Sequence, residues 1–201
     1  MKLLKYLIFL FCGISLAQES IPTDYFNNPI DIPLILSGSF GELRSNHFHS
    51  GLDIKTQQRE GIPIYAPADG FVSRIKVSHY GYGKALYLKH PNGYSTVYAH
   101  LKKFEDSIQE YVKKAQYNKE KYEIELFPES NQLRVMKGEL IGYTGNSGSS
   151  DGPHLHFEIR DANSRPMNPM LFGIKIPDTK KPIVTSVFAY PLSKDAQINQ
   201  S

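Results

Sequence analysis

Cys12 is the only cysteine in 201 residues. It lies within an N-terminal stretch, MKLLKYLIFLFCGISLA, laid out like a secretory signal peptide: Lys2 and Lys5, an apolar run from Tyr6 to Ile14, then the small-residue site Ser15-Leu16-Ala17. With cleavage expected after Ala17, the exported chain has no thiol, which excludes disulfides and cysteine catalysis; an uncleaved anchor is the alternative. Phe11 stands where a lipoprotein-type modification site wants a small residue before its cysteine, so no lipid anchor is expected. The apolar run also falls short of the roughly 20 residues that a spanning helix requires. Charge of one sign is lacking as well. The 23 basic and 20 acidic residues give +3, and loss of Lys2 and Lys5 reduces this to +1, leaving no charge signal for nucleic acid. Internal repeats and low-complexity tracts are absent. The glycine-rich GYTGNSGSSDG has neither a P-loop lysine nor a following helix, so it shapes a tight loop rather than a phosphate cradle. No H-E-x-x-H motif is present.

What remains is ordinary globular composition, 40% hydrophobic and 21% charged, enough for one good-sized domain with short extensions. After the signal segment 1–17, residues 18–36 read as an extended lead-in, with a strand near Leu34–Ser37. Residues 37–170 form the main domain. From Gly61 to Leu101, short β-rich runs alternate with Gly and Pro every eight to twelve residues, the pattern of an all-β sandwich or barrel with antiparallel sheets. Asn92-Gly93 between ALYLKH and YSTVYAH predicts a hairpin with a type I′ turn. Phe104, Ile108, Val112 and Ala115 recur at helical spacing among Lys, Glu and Gln, which predicts an exposed amphipathic helix within an insertion spanning 102–136. Strand-like YEIELF and ELIGYTG follow. Residues 171–201 read as a linker and the possible start of a further β module.

Seven histidines, at 47, 49, 79, 90, 100, 154 and 156, carry the polar chemistry. In GPHLHFEIR, strand parity puts His154, His156 and Glu158 on one face and Leu155, Phe157 and Ile159 on the other. Same-face residues two apart have Cα atoms about 7 Å apart, so one ion does not easily use both histidines. In His49-Ser-Gly-Leu-Asp53, Gly51 argues against a helix, and an extended backbone lets His49 and Asp53 converge. With one histidine of the 154/156 pair they make a His₂Asp set with an open fourth position, the layout of a catalytic zinc site. Imidazoles with a single carboxylate suit zinc better than calcium or magnesium. Counting by twos from the turn places Tyr94, Thr96, Tyr98 and His100 on one face. His47 is a rival ligand, His79 and His90 sit in turns and read as solvated, and Glu158 reads as either a partner to a ligand imidazole or a surface carboxylate.

HSGLDI, GIPIYAPADGFV, VYAHL, GELIGYTGNSG and GPHLHFEIR, in this order over about residues 37–170, resemble the M23 family of lysostaphin-type zinc metallopeptidases, which cut peptide cross-bridges in bacterial cell walls. The resemblance implies an exported zinc endopeptidase of the periplasm or cell envelope, acting on peptidoglycan peptide, with His49, Asp53 and His156 as zinc ligands and His154 and His100 as non-ligand histidines sharing water activation and oxyanion stabilisation. Such a site uses zinc to lower the pKa of water and histidine, with an unperturbed pKa of about 6.5, for proton transfer. Two other readings stand beside it: a non-catalytic relative that binds the cell wall or regulates another hydrolase, and a periplasmic metal-binding protein.

Overall fold

A computed structural model describes residues 21–177, 181, 183, 184 and 186–188 of the chain. The expected signal segment lies outside the described residues, as does much of the expected β module beyond 171. The elements are β1 (Leu36–Gly38), β2 (Leu52–Lys55), β3 (Pro63–Tyr65), β4 (Gly70–Val77), β5 (Lys84–Lys89), β6 (Ser95–Ala99), β7 (Lys103–Phe104), α1 (Asp106–Lys119), β8 (Ile124–Leu126), β9 (Arg134–Val135), β10 (Leu140–Tyr143), β11 (His154–Arg160), β12 (Pro166–Met167) and a 3₁₀ turn at Pro169–Phe172. The large sheet runs β1-β2-β11-β6-β5-β4-β8, with β12 added to β11 and β9 to β4; β3-β10-β7 form a second, smaller sheet. Neither closes into a barrel among the described residues, and every pair is antiparallel. The fold is thus mainly β with one described α-helix, as the punctuated β runs predict.

The core follows from strand parity. Leu52 and Ile54 of β2, Leu155, Phe157 and Ile159 of β11, Tyr98 of β6 and Leu86 and Leu88 of β5 are all fully buried in one cluster, which also takes Ile64 and Ile141 from the small sheet. Glu105 caps α1, its carboxylate accepting from the backbone N–H of Ser107 at 2.9 Å, and Ile108 and Val112, one turn apart, bury the helix on the same core. Phe104 departs from the helical reading, because it belongs to β7 and pairs with Gly142. Residues 102–136 supply β7 to the small sheet and β8 and β9 to β4, so this segment is woven into both sheets. The lead-in is equally committed: Phe26, Ile30 and Leu34 are buried in the core, and Phe26 packs on Phe172 with ring centroids 5.7 Å apart. No helix among the described residues is long and apolar enough to cross a membrane.

Three local expectations are corrected. The β5–β6 hairpin forms, but only Gly93 is left-handed (φ 85°), and the His90 N–H closes the loop on the Tyr94 carbonyl at 2.9 Å. Three residues therefore connect the strands, a type I turn followed by a left-handed glycine in place of a type I′ turn. Second, Thr96 and Tyr98 share a face as counting by twos expects, but it is the core face, and His100 does not lie on it. Tyr98 faces Phe157 across the β6–β11 pairing, so Thr96 and Tyr98 point to the core, while Val97 and Ala99 share the face of His156. Third, His90 is not solvated but 3% exposed. Its Nδ1 bonds the Asp69 carbonyl at 2.8 Å and its Nε2 meets Thr96 Oγ1 at 2.8 Å. A carbonyl only accepts, so Nδ1 donates, Nε2 accepts from Thr96, and Tyr98 donates its hydroxyl to Thr96 at 2.8 Å. This satisfied chain lets a polar ring sit in the core.

Burial pushes the His90 pKa down, opposed in part by the Asp69 carbonyl. The sign for stability follows: the unfolded imidazole, with its ordinary pKa of about 6.5, takes up a proton before the folded one, so this contribution is complete above that pH and is lost as pH falls. Urea unfolding of the wild type and His90→Gln at pH 7.5 and 5.5 should show the wild type more stable at the higher pH, with the gap narrowing by up to about 1.4 kcal/mol per pH unit. A gap independent of pH would contradict the buried neutral imidazole.

Candidate metal centre

The register of β2 against β11 builds the first half of the site. His156 lies directly opposite Asp53, and because paired residues share a face, imidazole and carboxylate meet with Nδ1 2.9 Å from Oδ1. His49 comes from the chain just before β2. Gly51 lets that segment run against β11, since a Cβ there would come within 2.3 Å of the Phe157 carbonyl oxygen. His49 Nε2 then lies 3.0 Å from His156 Nδ1 and 3.0 Å from Asp53 Oδ1. All three residues are buried, and they form a group that could hold a metal ion.

The outer atoms decide what the inner ones can do. His49 Nδ1 donates to the Ser39 carbonyl at 2.9 Å, which leaves a lone pair on Nε2. His156 Nε2 donates to the Glu158 carboxylate at 2.8 Å, which leaves a lone pair on Nδ1. Arg44 holds the other carboxylate oxygen of Asp53 at 2.9 Å, leaving Oδ1 facing the two nitrogens. Three lone-pair atoms therefore converge within 3.0 Å of one another, an arrangement that repels itself unless a cation or proton sits among them. Ligands bound tetrahedrally to zinc at about 2.0–2.2 Å lie about 3.4 Å apart, so small adjustments would seat the ion. Burial tends to raise the Asp53 pKa, but pairing with the surrounding imidazoles of His154, His156 and His49 once they carry a proton outweighs it and holds the carboxyl far below the usual range. Burial disfavours the charged form of His156, yet its bonds to Asp53 and Glu158 prevail and raise its pKa. Both shifts describe a pocket that favours positive charge.

Glu158 is fully buried; of its two sequence readings, partner and surface carboxylate, the first holds. Besides His156 it accepts from Ser50 at 2.7 Å, from Arg160 at 2.6 Å and from the Tyr82 hydroxyl. Burial raises its pKa, but the bonds from His156 and Arg160 win and lower it to about 2. Tyr82, Ser50, Arg44 and Ser39 were not legible as site residues, since each comes from a loop whose path the sequence does not reveal.

His100 and His154 stand beside this group, their ring centroids 4.7 Å apart. His100 follows the end of β6 in a left-handed conformation (φ 60°). That turn, not strand parity, swings it to the site face. Its Nδ1 donates to the Ser147 carbonyl at 2.8 Å and its backbone N–H to Tyr82 O at 3.0 Å. Gly148 is needed here: it is left-handed (φ 75°), and a Cβ would come within 2.3 Å of the Gly81 carbonyl oxygen. His154 Nδ1 donates to Gly152 O at 2.9 Å, and its Nε2 lies 3.5 Å from Asp53 Oδ1. Both rings thus keep Nε2 unprotonated in the neutral state. Burial pushes the His100 pKa down to about 4, helped by repulsion from His154 and His156 and opposed by the Ser147 carbonyl. His47 is exposed and bonds Asn46 at 2.5 Å, outside the ligand group. His79 is also exposed, stacked on Tyr122. The ligand group, His100, His154 and Tyr82 line a groove of about 950 Å³.

Comparison with known proteins bears on this geometry. The sequence profile of peptidase family M23 matches residues 47–117 and 127–169. The DD-carboxypeptidase/endopeptidase Mpg of Neisseria meningitidis is 35% identical over 136 residues, covering 68% of this chain and 25% of that protein. The peptidoglycan DD-endopeptidase ShyA of Vibrio cholerae is 29% identical, covering 78% and 31% respectively. A crystal structure of a zinc-containing peptidase from Vibrio cholerae superposes with a TM-score of 0.54 at 26% identity, covering 76% of this chain and 41% of that one. The chain therefore spans about a quarter to a third of the length of these two relatives.

If Glu158 fixes the His156 ring, Glu158→Gln should weaken metal binding about 10–100-fold, measured by competition with a chromogenic chelator. Unchanged affinity would show that the buried carboxylate does not act on the ligand.

Proposed function

Because the chain belongs to peptidase family M23, we propose that it is an exported zinc-dependent endopeptidase that hydrolyses peptide cross-links of bacterial peptidoglycan. The observation that carries the reading is the convergence of His49 Nε2, His156 Nδ1 and Asp53 Oδ1 within 3.0 Å, with both imidazole tautomers fixed from outside. These three residues would hold the ion, leaving the groove side for substrate. The name of ShyA, a peptidoglycan DD-endopeptidase, supports a peptidoglycan peptide as that substrate, and the signal-type N-terminus supports delivery to the periplasm or cell envelope.

When bound, zinc supplies Lewis acidity, acidifying a water and polarising a peptide carbonyl. The protein supplies proton handling. His100 and His154 each present an Nε2 whose opposite nitrogen is committed to a backbone carbonyl, so each ring is held in the tautomer that accepts a proton at Nε2. His100, with its pKa near 4, stays neutral at neutral pH and is available as an acceptor. Once protonated, either ring becomes a donor for the carbonyl oxygen or the leaving amine, and the two share these duties across their 4.7 Å separation. Asp53 and Glu158 supply negative charge that balances the cation.

Protein purified without a tag should carry close to one zinc per chain, and His49→Ala should lose most of it; full zinc retention by that variant would reassign the ligands. His100→Ala and His154→Ala should each keep their zinc and a folded spectrum while losing at least about 100-fold in cleavage of purified peptidoglycan, followed by mass spectrometry of the released ends. Near-normal activity in both variants would overturn the catalytic roles.

A further inference from the structure

Lys55 is the last residue of β2, two beyond Asp53 and on the same face of the sheet, directly opposite His154. It lines the groove, it is exposed, and its ammonium makes neither an ion pair nor a hydrogen bond among the described residues. The other long cation of the groove is committed, since Arg44 bonds Asp53 at 2.9 Å and meets Glu42 at 3.5 Å. Of the groove's acids, Asp53 is engaged by Arg44 and three histidines, and Asp151, on the loop before β11, makes no ion pair with Lys55. The neighbouring Thr56 also borders the groove, and its buried hydroxyl has no hydrogen-bond partner. Gln57 and Gln58 follow, both lining the groove and both left-handed (φ 57° and 58°), as the central pair of a type I′ turn that the Arg59 N–H closes on the Thr56 carbonyl at 3.2 Å.

We propose that Lys55 receives a free carboxylate of the peptide substrate, making this end of the groove an acidic-peptide subsite beside the reacting bond. The spacing sets where that carboxylate sits. Same-face residues on a strand are about 7 Å apart and an extended peptide advances about 3.3 Å per residue, so the anion belongs to a residue within about two of the scissile bond. The inference rests on the peptidase reading and names the chemistry of its substrate.

The test compares purified cross-linked muropeptide dimers with their carboxylates free and the same dimers after carbodiimide amidation with ammonia. Wild-type protein should cleave the free form with kcat/KM about tenfold above the amidated form. Lys55→Gln should erase that preference by raising KM on the free form, with kcat, zinc content and cleavage of the amidated form unchanged, and Lys55→Arg should restore it. Equal cleavage of both forms by wild type, or a preference that survives in Lys55→Gln, overturns the subsite. If wild type cleaves neither, the peptidase reading fails separately, and equilibrium binding decides the subsite: His154→Ala protein should bind the free dimer about tenfold tighter than the amidated one, and His154→Ala/Lys55→Gln should bind them equally. Equal binding of the two dimers to His154→Ala overturns it.

Discussion

The pairing of β2 with β11 is the constraint on which the site depends. A slip of one residue would send every side chain of β11 to the opposite face, placing Phe157 among the ligands and His156 in the core. The register is held because both strands bury an apolar set on the far side, Leu52 and Ile54 against Leu155 and Phe157, all fully buried. Hydrophobic burial on one face thus fixes the opposition of His156 and Asp53 on the other.

Around that pair the protein assembles groups that constrain rather than react. Ser39, Glu158 and Arg44 each occupy the outward atom of one member of the triangle, so its inward atoms are left as acceptors. The same device recurs at His100 and His154, whose Nδ1 atoms are tied to the carbonyls of Ser147 and Gly152. Five rings and carboxylates are oriented by backbone carbonyls, one arginine and one buried glutamate. Tyr82 links the two sets, with its hydroxyl on Glu158 and its carbonyl on the His100 N–H.

His90 shows that the same residue type can serve the opposite end. Where His100 and His154 keep an open Nε2 toward the groove, His90 spends both nitrogens on the Asp69 carbonyl and Thr96. It sits against Phe26 of the lead-in, ring centroids 5.2 Å apart, and so helps fasten that segment to the domain.

The sequence by itself determined the β architecture, through its punctuated runs, and the face shared by His154, His156 and Glu158, because a period of two is a local property of extended backbone. It also paired His49 with Asp53, which needs only four residues of chain. The tertiary structure decided the rest. It brought β2 beside β11 across about a hundred residues, a long-range pairing that no local period encodes. It placed His100 on the site face through a single left-handed residue after β6, where counting by twos pointed the wrong way. It buried His90 and Glu158, whose burial depends on which loops and strands arrive above them, and it drew Phe104 into a strand of the small sheet, because pairing with β10 outweighed the helical spacing that Phe104 shares with Ile108 and Val112.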